Sequence, residues 1–165
     1  MDVPTEKDWQ DAFNIDLMAH IHLIGMALPY LEKSSNASAL MMSSIAGRDV
    51  VVSPGYQFWS CGTFKAALLH YTLEQAQVLR PKGIRVNCLT PGVIFAKDGP
   101  WDIWSKEKPE MIKAMLAGVP MGRFGSAKEV ADVGVFLASK PSAYVSGGSP
   151  DHWSISQGKP GVRIV

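Results

Sequence analysis

Two short apolar runs, Ala39 to Ser43 and Ile84 to Leu89, lie between three stretches in which apolar residues recur every three to four positions. The short runs are bounded by turn residues and suit buried strands, whereas the longer stretches carry the period of an amphipathic helix. Helix, strand, helix, strand, helix is the order of parallel α/β units joined by right-handed crossovers. Only two strands are readable, and a free-standing doubly wound sheet normally has more. The expectation is therefore an incomplete Rossmann-like doubly wound parallel sheet, completed by further strands or by a partner.

The first helix is predicted to open near Thr5, where Asp8 follows three residues on as an N-cap signal, and to place Trp9, Phe13, Leu17, Ile21, Ile24 and Leu28 on one face. Pro29 lies near its end, and Ser34, Ser35 and Asn36 make the turn into the first strand. Gly47 to Gly55 reads as a loop. A second long helix from about Ser60 to Leu79 is stopped by Pro81 and Gly83, and its small residues Gly62, Ala66, Ala67 and Ala76 suit close packing. The strand around Ile84, Val86, Cys88 and Leu89 is ended by Thr90, Pro91 and Gly92. Val93 to about Pro100 reads as loop. Trp101 to Leu116 is a weaker helical stretch, with Pro109 either inside it or between two short pieces. Ser126 and Glu129 form a capping-box signature for a last helix through Val130, Val133 and Leu137. Residues 1–148 are read as one domain portion and 149–165 as an irregular tail.

A chain of 165 residues holds one ordinary domain, or part of one. Its formal charge of +1, with no Lys/Arg run, argues against nucleic acid or an anionic membrane surface and leaves a small molecule or a protein as partner. The segment before Trp9 lacks the apolar core of a signal peptide, and Leu17 to Leu31 is too short and too interrupted to span a bilayer. Cys61 and Cys88, without CxxC spacing, fit a reducing compartment, so a cytoplasmic protein with neither a disulfide framework nor a metal site is expected. His20 and His22, two residues apart on a helix, cannot share a metal and read as surface or interface histidines. Asp151, His152 and Ser154 form no triad merely by clustering in sequence.

Five blocks carry more specific information: Ser43-Ser44-Ile45-Ala46-Gly47; Lys65-Ala66-Ala67-Leu68; Gly83-Ile84-Arg85-Val86-Asn87-Cys88-Leu89-Thr90-Pro91-Gly92; Pro120-Met121-Gly122-Arg123-Phe124-Gly125; and Glu129-Val130-Ala131 with Phe136-Leu137-Ala138-Ser139 and Val145-Ser146-Gly147. In order, spacing and content they resemble the C-terminal part of the short-chain dehydrogenase/reductase family over about residues 5 to 148. The resemblance implies an NAD(P)-dependent oxidoreductase acting on a carbonyl or alcohol.

By that resemblance Ser44 falls on the serine that hydrogen-bonds the substrate oxygen, and Lys65 on the lysine that holds the nicotinamide ribose and lowers the pKa of a catalytic tyrosine. A phenol with pKa near about 10 is a poor proton donor at neutral pH unless a cation stabilises its phenolate. That tyrosine belongs four residues before the lysine, where this chain has Cys61. A thiol with pKa near about 8.5 can ionise beside a lysine, but its reach is short. Tyr56, just ahead of the helix, is a candidate to swing toward Ser44. Small-residue packing at the helix start is the alternative for Cys61, a solvated helix lysine for Lys65 and a strand-end turn for Ser44.

Asp16 falls where the family has an Asn that anchors a proton-relay water. A carboxylate there accepts from water but brings negative charge near Lys65. Pro91, Gly92 and Ile94 fall on the loop whose backbone binds the nicotinamide carboxamide, although Ala96 replaces the usual Thr five residues after the Pro. The Gly-rich turn and ribose-reading acid that precede these blocks in the family do not occur in the chain, so the N-terminal nucleotide-binding strands are read as missing and cofactor binding by this chain alone is questioned. Phe95 to Leu116, with Trp101, Trp104, Met111 and Met115, falls on the substrate lid and hints at a hydrophobic substrate, or simply covers the core.

Two functional readings follow. One is a truncated oxidoreductase using NAD or NADP on a small hydrophobic carbonyl or alcohol, weakly active or inactive alone. The other is a non-catalytic descendant that works by association. Family members commonly pair through the helices falling near residues 5–31 and 60–79, so a homo-oligomer is expected in either case.

Overall fold

A computed structural model describes residues 3–49, 52–53, 56–57 and 59–149 of the chain. The central feature is a parallel pair of strands, β1 (Ser38–Met42) and β4 (Arg85–Leu89), in register from Ser38 opposite Arg85 to Met42 opposite Leu89. Because successive side chains of a strand point to opposite faces, each strand feeds two layers. Ala39 and Met41 with Val86 and Cys88 join the core made with Ile24, Leu68, Ala76 and Leu79 of the long helices. Leu40 and Leu89 meet the opposite helix at Gly134, where an added Cβ would lie 3.4 Å from Leu40 and 3.7 Å from Leu89. The result is a three-layer α/β arrangement with Val86 and Cys88 fully buried.

The first helical stretch is α1 (Glu6–Ala12), a π-helical segment (Phe13–Met18) and α2 (Ala19–Leu31). Thr5 and Asp8 form a complete capping box at its start. The π segment, in which the Ala19 amide donates to the Asn14 carbonyl, is a departure from the uniform helix expected. One extra residue in the turn widens it locally and re-aims the side chains around it, a device frequent at functional sites. Here Phe13 lies edge-on to Phe64, and Asp16 meets Lys65. Pro29 is accommodated inside α2 near its C-terminus.

Between β1 and β4 the expected loop contains a minimal hairpin, β2 (Val52–Ser53) with β3 (Tyr56–Gln57), and then α3 (Trp59–Leu79). Gly62, Leu68, Thr72, Ala76 and Leu79 form the buried side of α3. The helix closes through a turn at Arg80–Lys82 and Gly83, whose φ of 74° suits glycine.

After β4 the expected loop contributes β5 (Ile94–Phe95), paired in parallel with β6 (Gly125–Ser126). The weaker helical stretch resolves into two pieces, α4 (Pro100–Glu107) and α5 (Pro109–Ala117), each opened by a proline at a position where the missing amide costs nothing. The last helix, α6 (Ala127–Ala138), has the full Ser126–Glu129 capping box anticipated from the sequence. Its C-terminal carbonyls are closed by buried Arg85, which donates to Leu137 O at 2.6 Å and to Ser142 Oγ at 2.8 Å.

One edge of β4 pairs with β1, and the stretch after α6 lies along the other: Gly147 N donates to Val86 O at 2.8 Å and Cys88 N to Gly148 O at 3.0 Å. Asn87, fully buried, completes this seam by donating to Val145 O and accepting from Gly148 N. Among the described residues no strand pairs with the second edge of β1. The tail from 150 onward, including Asp151, His152 and Ser154, lies outside the described residues.

Candidate active site

In parallel sheets ligands gather where the strands end, because the connections there diverge and leave backbone groups unpaired. Both strands end here in turns joined by a hydrogen bond: after β1, Ile45 N donates to the carbonyl of Pro91, after β4, at 3.0 Å. The first turn is a short 3-10 segment (Ile45–Gly47) capped by Ser44, whose Oγ accepts from Ala46 N at 3.2 Å. Ser44 thus has the turn-capping role foreseen as its structural alternative, and its hydroxyl proton is not used by that bond.

Two contacts press this turn onto α3 at Lys65. Ser43 Oγ donates to the Lys65 carbonyl at 2.8 Å. A Cβ on Gly47 would lie 2.6 Å from the Lys65 carbonyl carbon and 2.7 Å from Ala66 N, so only glycine permits the approach. Neither Ser43 nor Gly47 was singled out from the sequence; a glycine just after a serine-rich strand end was the available signal.

The Lys65 ammonium lies 3.1 Å from Asp16 Oδ1 and donates to the Met42 carbonyl at 3.0 Å. The two side chains of the ion pair are only 14% and 17% exposed, so solvent screens them weakly. An ammonium has three donors, and these two acceptors leave a third proton for a ribose or substrate hydroxyl. Asp16, anticipated as a partner of Lys65, is delivered to it by the π segment.

Cys61 stands one turn before Lys65 on α3, beside Asp16. Burial, then the adjacent Asp16 charge, push its thiol up to about 11, against the weaker opposite pull of Lys65. The thiolate anticipated beside a lysine is thus disfavoured near neutral pH, because burial, together with the Asp16 charge, outweighs the cation. Tyr56 pairs through its backbone in β3, and its side chain lies outside the described residues.

Beyond Pro91 and Gly92, Gly125 N donates to Val93 O at 2.9 Å. Successive residues of a strand present their amides and carbonyls to alternate sides, so those of Ile94 face away from β6. Nearby, Trp101, Met115, Leu116 and Phe124 pack around Val93 and Val119 as a second small core. An open apolar groove on its outside runs past Ser105, Pro109, Ile112, Lys113 and Leu116 and includes none of Ser44, Cys61 or Lys65. Of the aromatic residues of the expected lid, Trp101 lies edge-on to Trp104, and Phe95 and Trp101 both meet Phe124.

Of the two histidines expected at a surface or interface, His20 is partly exposed with its ring Nδ1 buried, and His22 is exposed. Among the described residues no three His, Cys, Asp or Glu side chains converge as metal ligands.

A lysine-bearing helix packed against parallel strands, with a serine turn and a Pro-Gly turn joined at the strand ends, defines part of a Rossmann-like α/β domain. The chain belongs to the short-chain dehydrogenase/reductase family. A family described as enoyl-(acyl carrier protein) reductase matches residues 1–150. The chain is 43% identical over 141 residues to isoepoxydon dehydrogenase patN of Penicillium expansum, covering 86% of this chain and 53% of that protein. It is 34% identical to the 3-oxoacyl-[acyl-carrier-protein] reductase of Thermotoga maritima, covering 86% of this chain and 54% of the relative. The chain thus spans about half the length of the curated relatives it matches.

Among solved structures, a 3-oxoacyl-[acyl-carrier protein] reductase from Brucella melitensis superimposes with a TM-score of 0.76 at 28% identity, over 87% of this chain and 51% of that one. A short-chain oxidoreductase from Pseudomonas aeruginosa PAO1, NADPH-bound and described as containing an atypical catalytic center, does so with a TM-score of 0.75 at 27% identity, over 87% and 55%.

Proposed function

We propose that this chain is the C-terminal, substrate-facing portion of a nicotinamide-dependent oxidoreductase that interconverts a small hydrophobic carbonyl compound and its alcohol. The observation that carries this reading is the half-buried Lys65 ammonium, held by Asp16 and Met42 beneath the serine turn with one proton left to donate. NAD or NADP, when bound, supplies the hydride. Lys65 would hold the nicotinamide ribose and supply positive charge beside the reacting oxygen, the backbone of Ile94 together with the Pro91-Gly92 turn would receive the carboxamide, and Ser44 would donate its hydroxyl proton to the substrate oxygen. Residues 1–148 form the portion concerned, and the nucleotide phosphates fall to strands beyond the open edge of β1.

Cys61 contributes little as a proton donor in this scheme, since its thiol is short and holds its proton to about pH 11. Turnover would be slow, because a general acid typically contributes about 10²–10⁴-fold. The NADPH-bound relative with an atypical catalytic center supports the view that an altered centre and cofactor binding coexist in this family.

A specific observation favours a second reading, association without catalysis. The two long helices expose Leu23, Met26 and Tyr30 on one and Leu73 and Val78 on the other, apolar side chains that suit pairing with a second copy. Such a homo-oligomer is compatible with catalysis as well. Among the described residues no helix is long and apolar enough to cross a membrane, and Cys61 and Cys88 are free thiols, which supports a cytoplasmic setting.

Fluorescence titration of the purified chain with NADH and NADPH, followed by reduction of apolar ketones, tests the oxidoreductase reading. Saturable micromolar binding, with turnover abolished by Lys65→Ala, is the supporting result. Turnover unchanged by Lys65→Ala removes the lysine from the chemistry, and absent binding by a folded dimer favours the second reading.

A further inference from the structure

Ser43 stands one residue before Ser44 and takes no part in the chemistry proposed above. Side chains two apart on a strand share a face, and Ala39 and Met41 of β1 pack with Leu68 of α3 in the main core. Ser43 is next in that series, only 5% exposed, and its amide extends the ladder past β1 by donating to Leu89 O at 2.8 Å. Where the series would continue apolar, its hydroxyl instead reaches the middle of α3 and donates to the Lys65 carbonyl at 2.8 Å. Lys65 lies well inside that helix, where a carbonyl already accepts from the amide four residues on. The bond from Ser43 takes the second lone pair, so the helix does not need it. The preceding residue completes a grip on the same lysine: the Met42 carbonyl accepts from the Lys65 ammonium at 3.0 Å. Backbone and side chain of Lys65 are thus both held by consecutive residues of the strand end, and the residue that follows them is Ser44.

We propose that Ser43 is a positioning residue, whose hydroxyl fixes α3 along and about its axis so that the Lys65 ammonium is presented at a set place beside the Ser44 turn. The consequence for turnover rests on the oxidoreductase reading; the geometry rests on the hydrogen bonds alone. Packing does not supply the same constraint. The buried side of α3 is made largely of small residues, Gly62, Thr72 and Ala76 around Leu68, and the Thr72 hydroxyl bonds back to Leu68 of its own helix. Apolar contact is non-directional and changes little when such a helix shifts slightly, whereas a hydrogen bond weakens steeply with distance and angle. The close approach of Gly47 permits the turn to press onto Lys65 and Ala66 but does not hold it there. The Ser43 bond does. A displacement of about 1 Å in a reacting group is enough to cost about 10²-fold in rate, and the same displacement of Lys65 would stretch its 3.1 Å contact with Asp16.

Lysine accessibility reports the grip without any turnover. Under reductive methylation followed by peptide mass spectrometry, Lys65, whose side chain is 14% exposed, should label far more slowly than Lys128, at 81% an internal reference. Ser43→Ala should speed labelling of Lys65 about tenfold relative to Lys128, the scale of one lost hydrogen bond, while fully buried Cys88 stays closed to alkylation. Ser43→Thr, which keeps the donor, should restore the slow rate. A Lys65 rate unchanged in Ser43→Ala overturns the proposal, and so does a rise accompanied by reaction at Cys88, which marks general loosening. In reduction of an apolar ketone with NADH or NADPH, Ser43→Ala should lower kcat about tenfold or more and leave KM for the ketone within about twofold, with kcat recovered in Ser43→Thr. A loss confined to KM overturns the positioning role. The expected labelling pattern in a chain without turnover supports the grip on Lys65 and counts against the oxidoreductase reading, so the two fail separately.

Discussion

Asp16 holds Lys65 at 3.1 Å and, from the same carboxylate group, bears on the thiol of Cys61 one turn earlier on α3. One acidic side chain thus acts on both a largely buried lysine and the thiol one turn before it. It offsets the cation and raises the thiol together, which a neutral amide in its place would not do.

This relationship sets the reactivity of Cys61. With the thiol near 11, only about 0.1% is thiolate at pH 8, so alkylation by iodoacetamide should be slow and still accelerating at pH 10. Asp16→Asn removes the charge that opposes ionisation and should speed alkylation at pH 8 by about tenfold or more. Peptide mass spectrometry separates Cys61 from the buried Cys88. A wild-type rate that levels off near pH 8.5 would show that Asp16 and burial do not control this thiol.

Gly47 should be the least replaceable residue of the serine turn. Gly47→Ala drives a methyl group into the backbone of Lys65 and Ala66, at 2.6 and 2.7 Å, where no flexible side chain can yield. The turn must lift off α3, weakening the Ser43-to-Lys65 bond, at a cost of about 1–3 kcal/mol. Chemical denaturation reads this as a lower midpoint at constant slope, whereas Gly25→Ala, in open space on α2, should be neutral or slightly stabilising. Equal midpoints for the two variants would be incompatible with this packing.

Acid should unfasten α6 through Glu129. Two bonds from Arg123, at 2.7 and 3.0 Å, and the capping box with Ser126 hold its carboxyl down to about 2, from an ordinary 4.5. A depressed folded pKa means that the stabilisation is fully present above about pH 4.5 and is lost as pH falls toward 2. Glu129→Gln should therefore have a lower Tm than wild type at pH 6 but a flatter Tm between pH 5 and pH 2.5. Parallel Tm curves for the two proteins across that window would contradict the assignment.

The main strands and the helix ends were legible because their signals are local. Apolar runs and the Ser126–Glu129 pair depend on residues within a few positions of one another, and the observed boundaries of β1, α3 and α6 follow them closely. The small pairings β2 with β3 and β5 with β6 were read as loops, since two-residue strands carry no periodicity. The π segment was equally hidden: Phe13 to Met18 has an ordinary helical composition, and what it achieves is visible only at Phe64 and Lys65, some fifty residues away along the chain. For the site, Ser44, Lys65, Asp16 and the Pro91–Gly92 turn were recognisable as types at spacings. The close approach of Gly47 to α3 was not, because it depends on Lys65 and Ala66, distant in sequence.

By itself, the sequence determined the α/β order and the family, and it placed Cys61 one helical turn before Lys65. Only the tertiary structure decided what that spacing means chemically. The ionisation of Cys61 and the charge balance at Lys65 depend on burial and on the Asp16 carboxylate that a single widened helical turn brings within 3.1 Å of the lysine. Electrostatic interactions vary with distance and local solvation rather than with sequence separation, so no reading of α3 alone contains them.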